Sequence, residues 1–241
     1  MRAIYLNLDR SPDRRQWMED QAKSLGVKLD RLAAVDGASL AKSEVLSAGA
    51  LGCFQSHRAA WAMVAEVEDQ YAAVFEDDTH LSSDLPKFLA DQSWIPGDAD
   101  IVHLGCARRH CEVTGKALPA LGRKLYRPTG ENASAEAYII SKHCAAKLHR
   151  DFVSIDREFD QILFNGGRPD LVIYKLFPAL GIQDQFVSQS RFDGLISRPF
   201  AGRSAKLRGF AKVRHEFQRS MRQAASALGL VSTKRVRVGY R

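Results

Sequence analysis

Three consecutive acids, Glu76-Asp77-Asp78, close a short apolar run, Tyr71-Ala72-Ala73-Val74-Phe75. A run of this length, rich in Val and aromatics, reads as a buried strand. Adjacent carboxylates at its end repel one another and lose hydration near the core. A divalent cation removes both costs, and an all-oxygen donor set suits a hard ion such as Mg2+ or Mn2+. Side chains alternate along a strand, so Glu76 and Asp78 share one face and Asp77 takes the other. A bend at that point lets two or three of them meet one ion. The carboxyl end of an α/β strand is also where such sheets bind ligands. The plainer alternative is a solvated acidic turn that caps the next helix. Ser83-Asp84-Leu85-Pro86 already supplies a cap and an early proline for that helix.

Other groups carry weaker signals. In Ile155-Asp156-Arg157-Glu158-Phe159-Asp160, a helical reading puts Asp156 and Asp160 on one face. His57 falls on an apolar helical face with Ala50, Phe54, Trp61 and Val64, the place of a core histidine bonded to a neighbour. His103, Cys106, His110 and Cys111 lie close together, but their spacing matches no common zinc site. With Cys53 and Cys144, the cysteines read as reduced thiols.

The elements that must position these residues alternate between strand and helix. Ala3–Leu8 reads as a strand. Ser11, Pro12 and Asp13 open a helix that Gly26 stops. Lys28–Val35 reads as a second strand, Leu40–Leu46 as a short helix, and Ala50–Glu68 as a longer one. After the Tyr71–Asp78 strand come a helix over Leu85–Asp91 and a strand over Asp100–Gly105. Thr114–Arg127, punctuated by Gly and Pro, reads as a loop. Ala133–Ser141 passes from strand into a helix over Lys142–Asp151, and Leu171–Phe177 is a last apolar strand before Pro178. This order is that of an α/β domain.

The chain has 241 residues, 45% hydrophobic and 26% charged, with a net charge of +7. That length carries one α/β domain with a sizeable core, plus an appendage. The segment 198–241 holds 12 Lys and Arg against one acid, which leaves 23 basic and 27 acidic residues in 1–197. The basic character therefore belongs to the tail. Ala205–Leu228 has a helical apolar stripe with Lys and Arg off it, which fits either a helix docked on the body or one lying on an anionic membrane. No aromatic platform or known module accompanies the charge, so nucleic acid is not the expected partner. No apolar run approaches the roughly 20 residues of a membrane span. Met1 leads into Arg2-Ala3-Ile4-Tyr5-Leu6 without a signal-peptide apolar region, so a cytoplasmic protein is the expectation.

Three stretches together resemble glycosyltransferase family 25, the lipopolysaccharide-biosynthesis type. They are Ile4-Tyr5-Leu6-Asn7-Leu8-Asp9-Arg10-Ser11-Pro12-Asp13-Arg14-Arg15; Ala34-Val35-Asp36-Gly37 with Gly49-Ala50-Leu51-Gly52-Cys53-Phe54-Gln55-Ser56-His57-Arg58; and Ala73-Val74-Phe75-Glu76-Asp77-Asp78. Fainter similarity continues through Ala137–Ser141, Ile155-Asp156 and Pro178. Glu136 departs from the pattern, which has a small residue there, and the chain after Arg198 is not covered.

The resemblance implies an α/β, GT-A-like nucleotide-diphospho-sugar transferase fold, a mixed central sheet flanked by helices. The expected division is a catalytic domain over 1–197 and a basic amphipathic helical tail over 198–241. It implies inverting transfer of a hexose, usually galactose, from a UDP-sugar donor to a glycan or glycolipid acceptor. Asp77 and Asp78 are the expected ligands of Mn2+ (or Mg2+), with Glu76 helping. Asn7, Asp9, Arg10, Arg14, Asp36, Ser56, His57, Glu76 and Asp77 are the expected nucleotide-sugar residues, since Asp accepts from ribose or uracil and Arg pairs with phosphate. Inversion needs one general base, expected at Asp156, with Asp160 and Glu136 behind it. The tail would then hold a cytoplasmic enzyme at the inner membrane face. Two rivals stand: a Mg-dependent phosphohydrolase using Asp9 as nucleophile, and a non-catalytic adaptor that keeps the nucleotide-sugar fold.

Overall fold

The structure is a computed structural model that describes residues 1–106, 110–129, 132–165, 168–192 and 233–240. In chain order the elements are β1 (Arg2–Asn7), α1 (Pro12–Leu25), β2 (Asp30–Ala33), α2 (Ala48–Ala65), β3 (Tyr71–Glu76), β4 (Thr79–Leu81), α3 (Leu85–Ala90) and β5 (Ile101–His103). Then come β6 (His110–Ala120), β7 (Arg123–Pro128), β8 (Ala137–Ser141), α4 (Lys142–Asp151), α5 (Phe159–Phe164), β9 (Ile173–Phe177), β10 (Gly181–Gln183) and β11 (Thr233–Arg237).

Among the described residues, nine strands form one mixed sheet in the order β11-β6-β7-β9-β5-β8-β3-β1-β2. β1 lies between β2 and β3, parallel to both, with Ile4 opposite Asp30 and Val74. β8 runs antiparallel between β3 and β5, and β9 is parallel to β5. β4 and β10 form a separate antiparallel pair.

Period-two alternation divides the core between the two faces. Tyr5, Phe75, Val102 and Ile139 join Met18 of α1 and Leu85 and Phe88 of α3 on one face. Ile4, Leu6, Val74, Tyr138 and Ile140 join Phe54 and Trp61 of α2, Leu148 of α4 and Leu163 of α5 on the other. Each fully buried Phe or Met contributes roughly 1.5–3 kcal/mol. The expected α/β architecture, a mixed sheet flanked by helices, is the one observed.

The boundaries of α1 are as read: Pro12 opens it and Gly26 ends it, with the Gly26 N–H turned back to Ala22 and Lys23 carbonyls. Three expectations are corrected. Leu40–Leu46 is not helical; Asp36 caps only a single short turn at Gly37–Ser39, and Val45 is exposed with nothing to bury against. Thr114–Arg127 is not a loop but most of the β6–β7 hairpin. Its turn is Leu121-Gly122, both at positive φ, so Gly122 serves as a tight hairpin turn inside ladder structure. The acid-bearing stretch Ile155–Asp160 is not one helix. α5 begins only at Phe159, so Asp156 and Asp160 do not share a helical face.

β11 pairs antiparallel with β6 and comes from within the segment 198–241. The amphipathic stretch Ala205–Leu228 lies outside the described residues.

Candidate active site at the carboxyl ends of β1 and β3

Parallel pairing of β1 and β3 brings their carboxyl ends together, Leu6 opposite Glu76. Asn7 and the Glu76-Asp77-Asp78 acids therefore meet at one edge of the sheet, and α1 returns Arg14 to the same point. Both oxygens of the Asp77 carboxylate are engaged. Asn7 Nδ2 donates to Oδ2 at 2.7 Å and Arg14 Nη1 to Oδ1 at 2.9 Å. Asn7 also donates to the Ser11 carbonyl at 3.0 Å, so Ser11 serves through its backbone. Arg31 in turn donates to Asn7 Oδ1 at 2.9 Å and to Asp9 at 2.5 Å. Arg14 and Asp77 are both buried, so this charge-assisted pair is structural cement rather than a rim contact.

Glu76 points to the opposite face, as strand alternation requires. His57 Nε2 is 3.3 Å and Cys53 Sγ 3.7 Å from Oε1, while Gln183 Nε2 donates to Oε2 at 3.0 Å. His57 is fully buried, and its Nδ1 is 2.9 Å from the Tyr138 hydroxyl, which accepts from Trp61 Nε1 at 3.0 Å. Burial holds the His57 pKa down at about 3, so the ring is neutral. It is both the core histidine that helical spacing suggests and a residue aimed at the acid cluster.

Asp78 is the least satisfied of the three acids. Arg14 reaches its Oδ2 at 3.5 Å, but its Oδ1 is buried without a hydrogen-bond partner. Burial first, and then repulsion from Glu76, raises its pKa to about 7; burial and then Asp77 do the same to Glu76. Two neighbouring acids whose pKa values burial and mutual repulsion push up form a site that a cation would relieve.

The remaining sequence candidates separate. Ser56 is a docking residue: its hydroxyl accepts from Val35 N at 2.8 Å and donates to Gly52 O at 2.6 Å. It ties α2 to the Asp36-Gly37 turn, where Gly37 and Gly52 touch backbone to backbone. A Cβ on Gly52 would sit 2.6 Å from Gly37 N. Asp36 and Arg10 pair with each other at the exposed rim. Asp9 is exposed and paired with Arg31, an arrangement that does not suit a buried nucleophile. Asp156 is also exposed, and Arg157 donates to both its oxygens at 3.1 and 3.2 Å, which lowers its pKa. Asp160 is the opposite case. Burial first raises its pKa to about 6, and Glu76 and Glu136 push in the same direction from within electrostatic range.

Glu136, at the start of β8, is wholly buried, and neither of its oxygens has a hydrogen-bond partner. Burial raises its pKa; the nearby Ser134 hydroxyl and Lys175 only partly offset this. Lys175 Nζ is instead held by His103 Nδ1 at 2.7 Å and the Gly105 carbonyl at 2.8 Å. His103 Nε2 lies 2.7 Å from the Ser134 carbonyl, so both ring nitrogens are engaged. His103 thus cannot join a zinc cluster with Cys106, His110 and Cys111. Among the described residues the metal-type grouping of His, Cys and acids is Cys53, His57 and Glu76.

Sequence reasoning missed Gln183, Tyr138 and Asp184. Asp184 accepts from Ser190 Oγ, Arg191 N and Phe192 N at 2.6–2.9 Å. That turn sets Phe192 under the Arg14 guanidinium, 5.1 Å from the ring centre. The only signal in the sequence was the polar run Gln183-Asp184-Gln185. Another concavity, lined by Gln70, Tyr71, Asp98, Asp100, Ser141 and Lys142, lies at the opposite end of β3, away from every one of these acids. Among the described residues, no helix is long and apolar enough to cross a membrane.

Comparison with known proteins gives a consistent family. The model of glycosyltransferase family 25 (LPS biosynthesis protein) matches residues 1–163. The chain is 28% identical over 130 residues to lipooligosaccharide biosynthesis protein lic2B of Haemophilus influenzae, covering 50% of this chain and 49% of that protein. It is 29% identical over 169 residues to the lacto-N-neotetraose biosynthesis glycosyltransferase LgtE of Neisseria meningitidis serogroup B, covering 65% and 60%. The chain thus spans about half to three fifths of the length of the curated relatives it matches. Among solved structures, a glycosyltransferase involved in glycosylation of the major capsid of PBCV-1 aligns over 78% of this chain and 94% of its own, at 9% identity and a TM-score of 0.40. The galactosyltransferase LgtC with donor and acceptor sugar analogs aligns over 73% of each chain, at 11% identity and a TM-score of 0.35. Scores of that size carry no weight for fold or function.

Proposed function

The chain belongs to glycosyltransferase family 25, and from that premise we propose that it transfers a hexose, galactose foremost, from a UDP-sugar to a glycan acceptor of the lipopolysaccharide-core type. The observation that carries this reading is the Asp78 Oδ1 atom, buried and unpartnered within a cluster of like charges. An all-oxygen site of that kind fits a hard divalent cation, Mn2+ or Mg2+. Asp78 is the primary ligand, and the Glu76 charge lies within electrostatic range of it. Asp77, whose oxygens are taken by Asn7 and Arg14, holds the frame. When bound, the cation supplies positive charge to the diphosphate that leaves with UDP.

The protein's own groups supply the rest. Arg10 and Asp36 stand at the rim, where a guanidinium suits phosphate and a carboxylate suits ribose or base. Asp160 takes the proton of the acceptor hydroxyl. Its pKa of about 6 keeps it ionised at neutral pH and still basic enough to serve. Asp156 has an Arg157 partner and solvent around it, so it ranks below Asp160. The basic segment 198–241 would hold the enzyme to the anionic inner face of the membrane. The relatives named for lipooligosaccharide and lacto-N-neotetraose biosynthesis support a glycan acceptor.

The test is thermal melting with nucleotides and nucleotide sugars, with and without Mn2+. A ligand that binds only the folded chain raises the melting temperature by mass action. The expected result is a shift with UDP and UDP-hexoses that requires Mn2+. No shift with any of them would overturn the donor assignment.

A further inference from the structure

We propose that Cys53, His57 and Glu76 form a second cation site, for a soft divalent ion of the zinc type, with a donor set different from that of the hard-ion site proposed at Asp78.

Cys53 and His57 are four residues apart on α2, so they project from one helical face, the spacing that places two ligands on one ion. The end of β3 delivers Glu76 to the same point. Cys53 Sγ is 3.7 Å and His57 Nε2 3.3 Å from Glu76 Oε1, and all three ligand atoms lie within 4.8 Å of one another. In a tetrahedral zinc site with bonds of about 2.0–2.3 Å, neighbouring ligand atoms are about 3.3–3.6 Å apart. Two edges are therefore close to their final length, and the third, between the Cys53 and His57 ligand atoms, is at most 4.8 Å. Thiolate, imidazole and carboxylate together select a soft or borderline ion over Mg2+.

The surroundings hold the ligands as metal sites require. Each outer atom has its own partner: His57 Nδ1 is 2.9 Å from the Tyr138 hydroxyl, and Glu76 Oε2 accepts from Gln183 at 3.0 Å. That leaves Nε2 and Oε1 facing the thiol. Partners of this kind fix the imidazole tautomer and orient the carboxylate. Cys53 and Glu76 are only partly covered, so the group is reached from solvent. Binding replaces the thiol S–H bond with a sulfur–metal bond and releases one proton to solvent. Ligation through Nε2 sets the His57 ring proton on Nδ1, toward the Tyr138 hydroxyl 2.9 Å away. An ion here also draws the Glu76 charge out of the acid cluster.

The experiment is a titration of the full chain with Co2+ in a thiol-free reducing buffer. The expected result is a thiolate-to-cobalt absorption band with tetrahedral visible bands, saturating at one ion per chain and bleached by Zn2+. Cys53→Ser should abolish the band, whereas Cys111→Ser should keep it. Gln183→Ala, which touches Glu76 only through Oε2, should weaken binding about 10-fold or more. Absence of the band, or its persistence in Cys53→Ser, overturns the site. Wild-type protein gives a check that needs no variant. Zn2+ should slow alkylation of Cys53, read by mass spectrometry, and an unchanged rate overturns the proposal equally.

Discussion

The carboxylate of Glu136 occupies the space that a side chain at residue 105 would need. A Cβ built on Gly105 overlaps both oxygens and the carboxyl carbon of Glu136. The contact joins the end of β5 to the start of β8, beside the acid cluster. The missing side chain at Gly105 leaves room for this wholly buried carboxylate. Gly105→Ala should destabilise the fold by about 1–3 kcal/mol in urea unfolding, the cost of overpacking. Glu136→Ala should relieve it, so the double variant should be non-additive by about 0.5–3 kcal/mol. Additive values would mean that the two residues do not compete for that space.

Lys175 gives a pH dependence of definite sign. Burial lowers its pKa from 10.5 to about 8. Between those values the unfolded chain binds the proton and the folded chain does not. Stability from this group therefore rises with pH across that window, by up to about 1.4 kcal/mol per pH unit. In Lys175→Met that contribution is absent. The difference in unfolding free energy between wild type and variant should climb from about pH 8 upward, and a flat difference would show that Lys175 titrates normally.

Asp78→Asn should remove the response to Mn2+ without harming the fold, because the buried carboxylate is itself unfavourable there. Turnover should fall by about 100-fold or more. The melting temperature without metal should be unchanged or higher. A variant that keeps both the Mn2+ shift and its turnover would place the ion elsewhere.

Asp160 and Asp156 can be told apart by one pair of variants. Asp160→Asn should lower kcat by about 100-fold to 10,000-fold, the usual worth of a general base. Asp156→Asn should stay within a few-fold of wild type, since it loses only an exposed pair with Arg157. The reverse order would return the base to Asp156.

Tyr138→Phe should cost about 1–3 kcal/mol, because the buried Trp61 N–H loses its acceptor and His57 its Nδ1 partner. Thermal unfolding measures this directly. A neutral outcome would mean that a water replaces the hydroxyl.

The local grammar of the chain was readable from its residues. Pro12 and Gly26 bound α1 because a first-turn proline and a terminal glycine act on their own backbone. The unbroken apolar runs Tyr71–Phe75 and Ala137–Ile140 marked strands buried on both faces of the sheet. The motif segments Asn7–Arg15, Asp36-Gly37, Gly52–His57 and Glu76–Asp78 converge because β1 and β3 are parallel neighbours and α2 docks through Ser56. The hairpin over β6 and β7 was not readable, because Gly115, Pro119 and Gly122 look like loop punctuation until a partner strand is present.

Tertiary structure alone decided which acids are satisfied. Asp77 and Asp78 are adjacent and chemically alike. One has a partner on each oxygen, Asn7 and Arg14, while the other keeps a buried bare oxygen. Asp156 and Asp160 read as one helical pair, yet the helix starts between them and leaves one in solvent and the other half-buried, within electrostatic range of Glu76 and Glu136. Gln183, 107 positions from Glu76, holds its carboxylate, and Lys175 reaches His103 across 72 positions. Residue type and spacing fix local conformation, because helix, strand and turn depend on near neighbours. Charge state and hydrogen-bond partnership depend on burial and on groups distant in the chain, and those exist only once the sheet has assembled.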